Sequence, residues 1–269
     1  MRRPSGTTIA LIAGLAFLYV PLAVVIGYSF NASKLVTVWT GFSFTWYGAL
    51  LADEQILNAA RNSLIVAFTS ATLAAVLGTM AGYAFARFGR FRGRNLLAGS
   101  IAAPLVMPDV MTGLSLLLLF VALEQTFAWL PGRGLITIII AHAGFAMAYV
   151  TVIVRARLIG MERDIEEAAA DLGAKPMTVF FGITLPMIRP AVMAGWLLSF
   201  VLSLDDLVIA SFVSGPQSTT LPMVVFSSIR LGVSPKINAL AAILIIVTLV
   251  LLALAAWMSR GALRMRPAK

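Results

Sequence analysis

Six long apolar stretches dominate this chain and limit what it can fold into. They cover approximately residues 7–30, 62–86, 97–123, 135–154, 191–213 and 237–258. At a rise of about 1.5 Å per residue, roughly 20 apolar residues cross a hydrocarbon core about 30 Å thick. Only 12% of the 269 residues are charged, against about 25% in a typical soluble domain. Because these runs are continuous and do not alternate, the sequence predicts an all-α membrane protein with six transmembrane helices.

The basic residues set the expected orientation. With a cytoplasmic N-terminus, fifteen Lys and Arg residues fall in segments on the cytoplasmic side and five on the outer side. This asymmetry is the positive-inside pattern of membrane proteins. We therefore expect both termini in the cytoplasm. The net charge of +9 is then a topology signal and not the mark of a nucleic-acid-binding protein.

The long loop between the fourth and fifth stretches is predicted to hold a short helix. Helix-forming residues dominate Glu162–Leu172, and Gly173 follows where a C-terminal capping glycine would lie. Pro176 can open a second short helix at its first turn. We expect that second helix to end before the fifth span, at Leu185-Pro186 and Arg189-Pro190.

The spacing within this loop, residues 155–190, resembles the EAA motif of ABC-importer permeases. All seven fixed positions of the motif are matched, by Glu167, Ala168, Ala169, Gly173, Ile183, Leu185 and Pro186. In that family the loop forms a coupling helix that docks in a groove of a cytoplasmic ATPase. The resemblance implies a set of coupling residues, namely Ile165, Glu166, Glu167, Ala168, Ala169, Asp171, Gly173, Ile183, Leu185 and Pro186.

Further motifs resemble the permease subunits of polyamine ABC importers. They are Pro104-Leu-Val-Met-Pro108-Asp109, Ser203-Leu-Asp205-Asp206, Val213-Ser-Gly-Pro216, Leu221-Pro222, Gly232-Val-Ser-Pro235 and Asn238-Ala-Leu. The run from Leu204 to Pro216 is most similar to the putrescine permeases. The resemblance implies a type I ABC importer permease fold, with residues 1–269 forming a single transmembrane permease domain in the bacterial inner membrane.

The same resemblance implies the cargo and the partners. The cargo would be putrescine, with spermidine or another small solute as the alternative. The partners would be a second homologous permease in a heterodimer, two ATP-binding subunits on the cytoplasmic face, a periplasmic substrate-binding protein and membrane lipid. The chain has no G-x-x-x-x-G-K-[ST] sequence. We therefore expect ATP to be bound by a partner, and this chain to be a transport subunit with no cofactor and no enzymatic activity.

Ionisable residues inside the spans are costly, so they are candidates for the translocation path. One helical stripe of the fifth span carries an indole, two hydroxyls and a carboxylate, and these groups suit a diammonium cargo. Alternatively, an Asp caps a broken helix or pairs with a partner subunit. Prolines near mid-membrane should kink or break the third span. The candidate path residues are Trp196, Ser199, Ser203, Asp205, Asp206 and Asp109.

Two other classes of function compete with an importer. A gradient-driven secondary transporter would explain six spans and buried Asp residues, but not the EAA spacing, and the sequence shows no obvious inverted repeat. A membrane-embedded enzyme needs a cluster of catalytic groups, whereas the chain has no Cys and a single His, His142. We expect His142 to be packed or interfacial and expect no metal site.

Overall fold

The computed structural model describes residues 6–35, 38–127, 132–231 and 234–264, and within them almost all regular structure is helical. An isolated bridge joins Asn31 and Phe42. The helices are α1 (Gly6–Tyr28), α2 (Thr45–Leu51), α3 (Glu54–Arg87), α4 (Arg94–Val106), α5 (Asp109–Thr126), α6 (Leu135–Ile159), α7 (Asp164–Asp171), α8 (Pro176–Val179), a π-helical turn (Phe180–Thr184), α9 (Leu185–Asp205), α10 (Val208–Val213), α11 (Leu221–Leu231) and α12 (Pro235–Arg264).

The helices confirm an all-helical, multi-pass membrane protein. In the described ranges, five helical stretches are long and apolar enough to cross a membrane, namely Gly6–Tyr28, Glu54–Arg87, Asp109–Thr126, Leu135–Ile159 and Pro176–Asp205. The sixth expected span, 237–258, lies on α12, whose apolar part Pro235–Val250 is shorter. The count of six spans and the position of the two termini stay predictions.

The third apolar stretch, 97–123, is divided between two helices, as the prolines predict. α4 ends at Val106, and Met107 and Pro108 are extended, with ψ angles of 139° and 142°. Pro108 disfavours the helical conformation of the residue before it, which accounts for the position of the break. Pro104 lies inside α4 without ending it. The prediction of a break near mid-span is confirmed.

The chain forms two compact units, residues 1–57 with 225–269 and residues 58–224. The expectation of a single domain over residues 1–269 stays a prediction. In the second unit, α6 packs against α4, α5, α9 and α10. Eleven residues of α6 are buried along its whole length. α6 is therefore the central helix of residues 58–224.

Glycines allow α3 and α9 to approach α6 closely. A Cβ placed on Gly78 would lie 2.6 Å from Cβ of Val150, and one on Gly82 would lie 3.1 Å from the carbonyl oxygen of Thr151. On α9, a Cβ on Gly195 would lie 3.2 Å from Cγ1 of Val150. The Gly-x-x-x-Gly spacing on α3 is thus a helix-packing contact within the chain.

This contact predicts opposite outcomes for two Gly→Ala substitutions in helices. Gly78→Ala forces Val150 or the backbone to shift and should reduce the free energy of unfolding by about 1–3 kcal/mol. Gly144→Ala, at a position in α6 where an added Cβ meets nothing within 4 Å, should be neutral or stabilising by about 0.5–1 kcal/mol. Thermal unfolding in detergent measures both. Equal stability of the two variants would contradict the contact.

In the first unit, α12 packs against α1 and α2, and an ion pair fixes the start of α12. Nζ of Lys236 lies 2.6 Å from Oδ2 of Asp53, just before α3. The hydrogen bond from Lys236 holds the pKa of Asp53 below its ordinary value of 3.8. Between α1 and α2, the buried Asn31 joins separate parts of the loop: its Nδ2 donates to the Val38 carbonyl and its own main-chain carbonyl accepts from Trp46 Nε1.

The ion pair predicts a pH-dependent contribution to stability. Because the folded-state pKa of Asp53 is lowered, the stabilisation is present above the ordinary pKa and is lost as the pH falls through the folded-state value. At neutral pH, Asp53→Asn should cost about 0.2–1 kcal/mol, since the pair is partly exposed. Lys236→Met should cost the same, and the double variant no more than either single one. Unfolding temperatures of the wild type and the variants, measured from pH 7 down to 3, test this. If the wild type exceeded the variants by the same margin at pH 3 as at pH 7, the prediction would be contradicted.

Candidate functional site

The helix predicted in the long loop is α7, and its end is set by Gly173. α7 covers Asp164–Asp171, somewhat shorter than the predicted 162–172. Three acids in its first turn suit the positive end of the helix dipole. Gly173 has a φ of +85°, its N–H donates to the Ala170 carbonyl, and the next N–H, of Ala174, donates to Ala169. This is the Schellman arrangement that favours glycine, so the predicted cap is confirmed.

One face of α7 is exposed and apolar. Ile165, Ala168 and Leu172 recur at helical spacing, and all three are exposed, Leu172 to 90%. We call these three residues the outer stripe. Met177 and Phe181, further along the loop, are also exposed. Five exposed apolar side chains thus lie on and just after α7.

The opposite face of α7 is fastened to the chain's own helices. Glu166 Oε2 lies 2.8 Å from Nε of Arg87, and its Oε1 accepts a hydrogen bond of 2.8 Å from the Thr184 hydroxyl. Arg87 also donates through Nη1 to the Leu158 carbonyl, at 3.1 Å. Of the two neighbouring glutamates in the motif, Glu166 therefore points inward and Glu167 is exposed.

The remaining predicted coupling residues divide between exposed and packed positions. Asp171, Gly173 and Pro186 are exposed, whereas Ala169 and Ile183 are half-buried. Leu185 packs against the buried cluster that contains Val154 and Leu158. The structure thus places the motif partly on the surface and partly at the junction with the spanning helices.

The expected helix end at Leu185-Pro186 and Arg189-Pro190 is wrong. The helix continues from Pro176 to Asp205, because a π-helical turn at Phe180–Thr184 precedes the prolines. In that turn the N–H of Leu185 donates to the Phe180 carbonyl, five residues back. The wider turn shifts the hydrogen-bond register just before Pro186, which has no N–H to donate.

A second polar group of residues lies where α9 ends. The helix stops at Asp205, and the carboxylate of Asp206 accepts hydrogen bonds of 3.2 Å from the N–H groups of Ile209 and Ala210. Asp206 therefore caps α10, which agrees with the capping alternative for this residue. Asp205, next to it, is exposed.

His142 on α6 completes this group, although its position in the sequence does not connect it to the candidate path residues. Its Nδ1 lies 2.7 Å from the Ser203 hydroxyl, and its Nε2 lies 3.4 Å from Oδ2 of Asp206. A neutral imidazole can accept the Ser203 proton at Nδ1, while Nε2 lies beside Asp206 without a hydrogen bond to it. His142 is buried, as expected. The only available signal was that Ser203 and Asp206 share a helix face.

The other candidate path residues lie apart from this group. Ser199 is fully buried, and its hydroxyl donates to the Gly195 carbonyl. Trp196 donates through Nε1 to the Thr72 hydroxyl at 3.1 Å and stacks on Phe200. Asp109 is exposed in the first turn of α5. Their role in a pathway stays a prediction.

The two contacts of His142 can be separated by substitution. His142→Leu should lower the free energy of unfolding by about 1–3 kcal/mol, because it leaves the Ser203 hydroxyl and one side of Asp206 without their partner. His142→Asn can preserve the Ser203 contact and His142→Gln the Asp206 contact, so each should lose less. Thermal unfolding in detergent ranks the three. A Leu variant as stable as the wild type would show that the polar contacts contribute nothing.

An all-helical membrane domain with an EAA-spaced helix on a loop between two spanning helices is the arrangement of an ABC-importer permease. Residues 74–262 match the family described as binding-protein-dependent transport system inner membrane component. The chain belongs to this family. The predicted class of protein is therefore confirmed.

Curated relatives agree with this assignment. The chain is 60% identical over 237 residues to the putrescine transport system permease protein PotI of Escherichia coli K12, covering 88% of this chain and 84% of that protein. It is 39% identical over 245 residues to the spermidine/putrescine transport system permease protein PotC of Haemophilus influenzae, covering 91% and 93%. These relatives are permease subunits of transport systems.

Solved structures show the same fold at low sequence identity. A bacterial ABC transporter involved in the import of the acidic polysaccharide alginate matches with a TM-score of 0.73 and 17% identity, covering 95% of this chain and 99% of that one. The MetNI methionine ABC transporter, in an inward-facing conformation, matches with a TM-score of 0.59 and 16% identity, covering 78% and 94%. The likeness places the helices in the ABC-importer permease fold.

Proposed function

We propose that this chain forms half of the translocation pathway through which putrescine crosses the bacterial inner membrane, with ATP hydrolysis in a separate subunit as the energy source. The observation that carries the proposal is 60% identity to a putrescine permease over 84% of that protein. Relatives named as spermidine/putrescine permeases are less similar, at 29–40%. Spermidine or another small solute is the alternative cargo.

In this proposal the outer stripe docks on an ATP-binding subunit. Two such subunits lie on the cytoplasmic face, bind the ATP and close on it. The exposed Glu167 can pair with a basic residue of the docking groove, and the apolar stripe is buried in the contact. The chain itself needs no cofactor. Closure then moves the permease helices as bodies between inward- and outward-facing states.

The pathway itself requires partners and a charge pattern. The chain, with six spans and both termini cytoplasmic, forms one half of the pathway lining. A second homologous permease completes the lining as a heterodimer, and a periplasmic binding protein delivers the cargo. A diammonium requires carboxylates along the way. Asp205 and Asp109 are exposed in this conformation, whereas Asp206 would first have to release its contacts with α10 and His142.

Uptake by the complete transporter, reconstituted in proteoliposomes, tests the cargo. Radiolabelled putrescine should accumulate only when ATP is supplied on the side of the membrane where the ATP-binding subunits lie. Excess spermidine should compete weakly with putrescine. Asp205→Asn should reduce uptake more than Asp206→Asn at equal protein levels. Absence of putrescine uptake in the wild type would reject the cargo, and uptake driven by an ion gradient without ATP would favour a secondary transporter.

A charge reversal on the exposed face of α7 tests the docking. Glu167→Lys should leave the chain inserted but reduce uptake at least about tenfold, a loss of roughly 1.4 kcal/mol of coupling free energy. Glu162→Lys makes the same change on an exposed acid outside the motif and serves as the matched control. Both variants are compared by uptake and by ATP hydrolysis. Normal uptake by Glu167→Lys would contradict the docking role.

A further inference from the structure

Polar groups from four elements converge at the cytoplasmic end of α3. Arg87, its last residue, contacts Glu166 on α7 through Nε at 2.8 Å and through Nη2 at 3.3 Å. Its Nη1 donates to the Leu158 carbonyl in the last turn of α6, and Thr184 in the π-helical turn donates to the same glutamate. We call Arg87, Glu166 and Thr184 the clasp.

A second arginine adds another connection between α7 and α3. Arg163, at the N-terminus of α7, donates through Nη2 to the Ala86 carbonyl at 2.9 Å. Carbonyls in the last turn of a helix have no partner within it, and arginine side chains there also suit the helix dipole. The short helix is thus attached directly to the end of α3, and through Arg87 it is linked to the end of α6.

The clasp is the main attachment of α7. No residue of α7 itself is fully buried, so hydrophobic packing holds this helix only weakly. The side chains of Arg87 and Glu166 are only 8% and 12% exposed. The planar guanidinium fixes direction as well as distance, because its donors point along three defined lines.

Stability alone does not account for a charged pair at this position. Removing a buried pair from water is costly, and well-packed apolar residues of similar volume often stabilise a protein as well or better. What an apolar contact lacks is orientation. The guanidinium of Arg87 lies against Glu166 and donates to a carbonyl of α6, and Glu166 also accepts from a hydroxyl of the π-helical turn, so the pair holds α7 in one orientation relative to α3, α6 and that turn.

We propose that Arg87 is a positioning residue that makes α7 move together with α3, α6 and the start of α9, so that displacement of the coupling helix reaches the spanning helices without loss. This inference rests on the proposed function. In it, Glu167 and the outer stripe face the ATP-binding subunit, while Glu166 faces inward and passes the movement on.

The decisive variant replaces the pair by apolar residues of similar size. Arg87→Met combined with Glu166→Leu leaves no buried charge unpaired, and only the Thr184 hydroxyl loses its acceptor, so the transporter should assemble with an unfolding temperature only slightly below that of the wild type. Putrescine transported per ATP hydrolysed should nevertheless fall about tenfold, within the range by which coupling networks respond to mutation. The single variant Arg87→Lys keeps the charge but not the planar guanidinium. Its ratio of putrescine transported to ATP hydrolysed should lie between those of the wild type and the double variant.

A second measurement does not depend on the cargo. The chain contains no Cys, so spin labels can be attached at Gly144→Cys on α6 and Ala170→Cys on α7, both of them exposed positions. In the assembled transporter, with and without ATP, the wild-type pair should give one narrow distance distribution. The double apolar variant should give a broad one.

The outcomes separate the two proposals. A double variant with a wild-type transport-to-hydrolysis ratio and a narrow label distance would show that the pair is merely structural and would overturn the inference. If the wild type transports no putrescine, the proposed cargo fails, while the label distances still decide whether the clasp holds α7 rigid.

Discussion

The close enclosure of α6 is the constraint on which the rest of residues 58–224 depends. Val150 lies between Gly78 on α3 and Gly195 on α9, where side chains on either helix would hold them further away. With α9 this near, His142 reaches Ser203, and Leu158 packs in the same buried cluster as Ile188. α6 therefore carries both His142, which bonds to Ser203, and Leu158, whose carbonyl accepts from Arg87 of the clasp. These two residues are 16 positions apart, or roughly 24 Å along the helix.

Two departures from regular helix, at the start of α10 and at the π-helical turn, are accompanied by groups that satisfy the backbone. Apolar surroundings provide no water for a free N–H or carbonyl, so irregular backbone there requires local partners. The carboxylate of Asp206 serves the start of α10, and the π-helical turn supplies an acceptor for the N–H of Leu185. These positions lie in the second unit, around α6 and α9, where the chain changes direction while these backbone groups keep their partners.

The sequence predicted what depends on local chemistry and missed what depends on contacts between distant segments. Apolar length predicts the long helices, and Gly173 predicts the end of α7 because only the local φ matters there. The helix through Pro186 was missed, since the π-helical turn that accommodates it has no sequence signature of its own. The pairing of Arg87 with Glu166, 79 residues apart, depends on how α3 and α7 meet, which periodicity does not contain.

The group around Asp206 shows why an acid in a span need not meet the cargo first. Its two oxygens already accept hydrogen bonds from two backbone N–H groups, and His142 lies beside one of them. A cation that took this carboxylate would leave the first turn of α10 without its cap, and buried N–H groups without acceptors are costly. Asp205, one residue away and about 100° around the helix, is exposed and does not cap α10. In this conformation we therefore expect Asp206 to hold the shape of the helix break and Asp205 to offer the free charge.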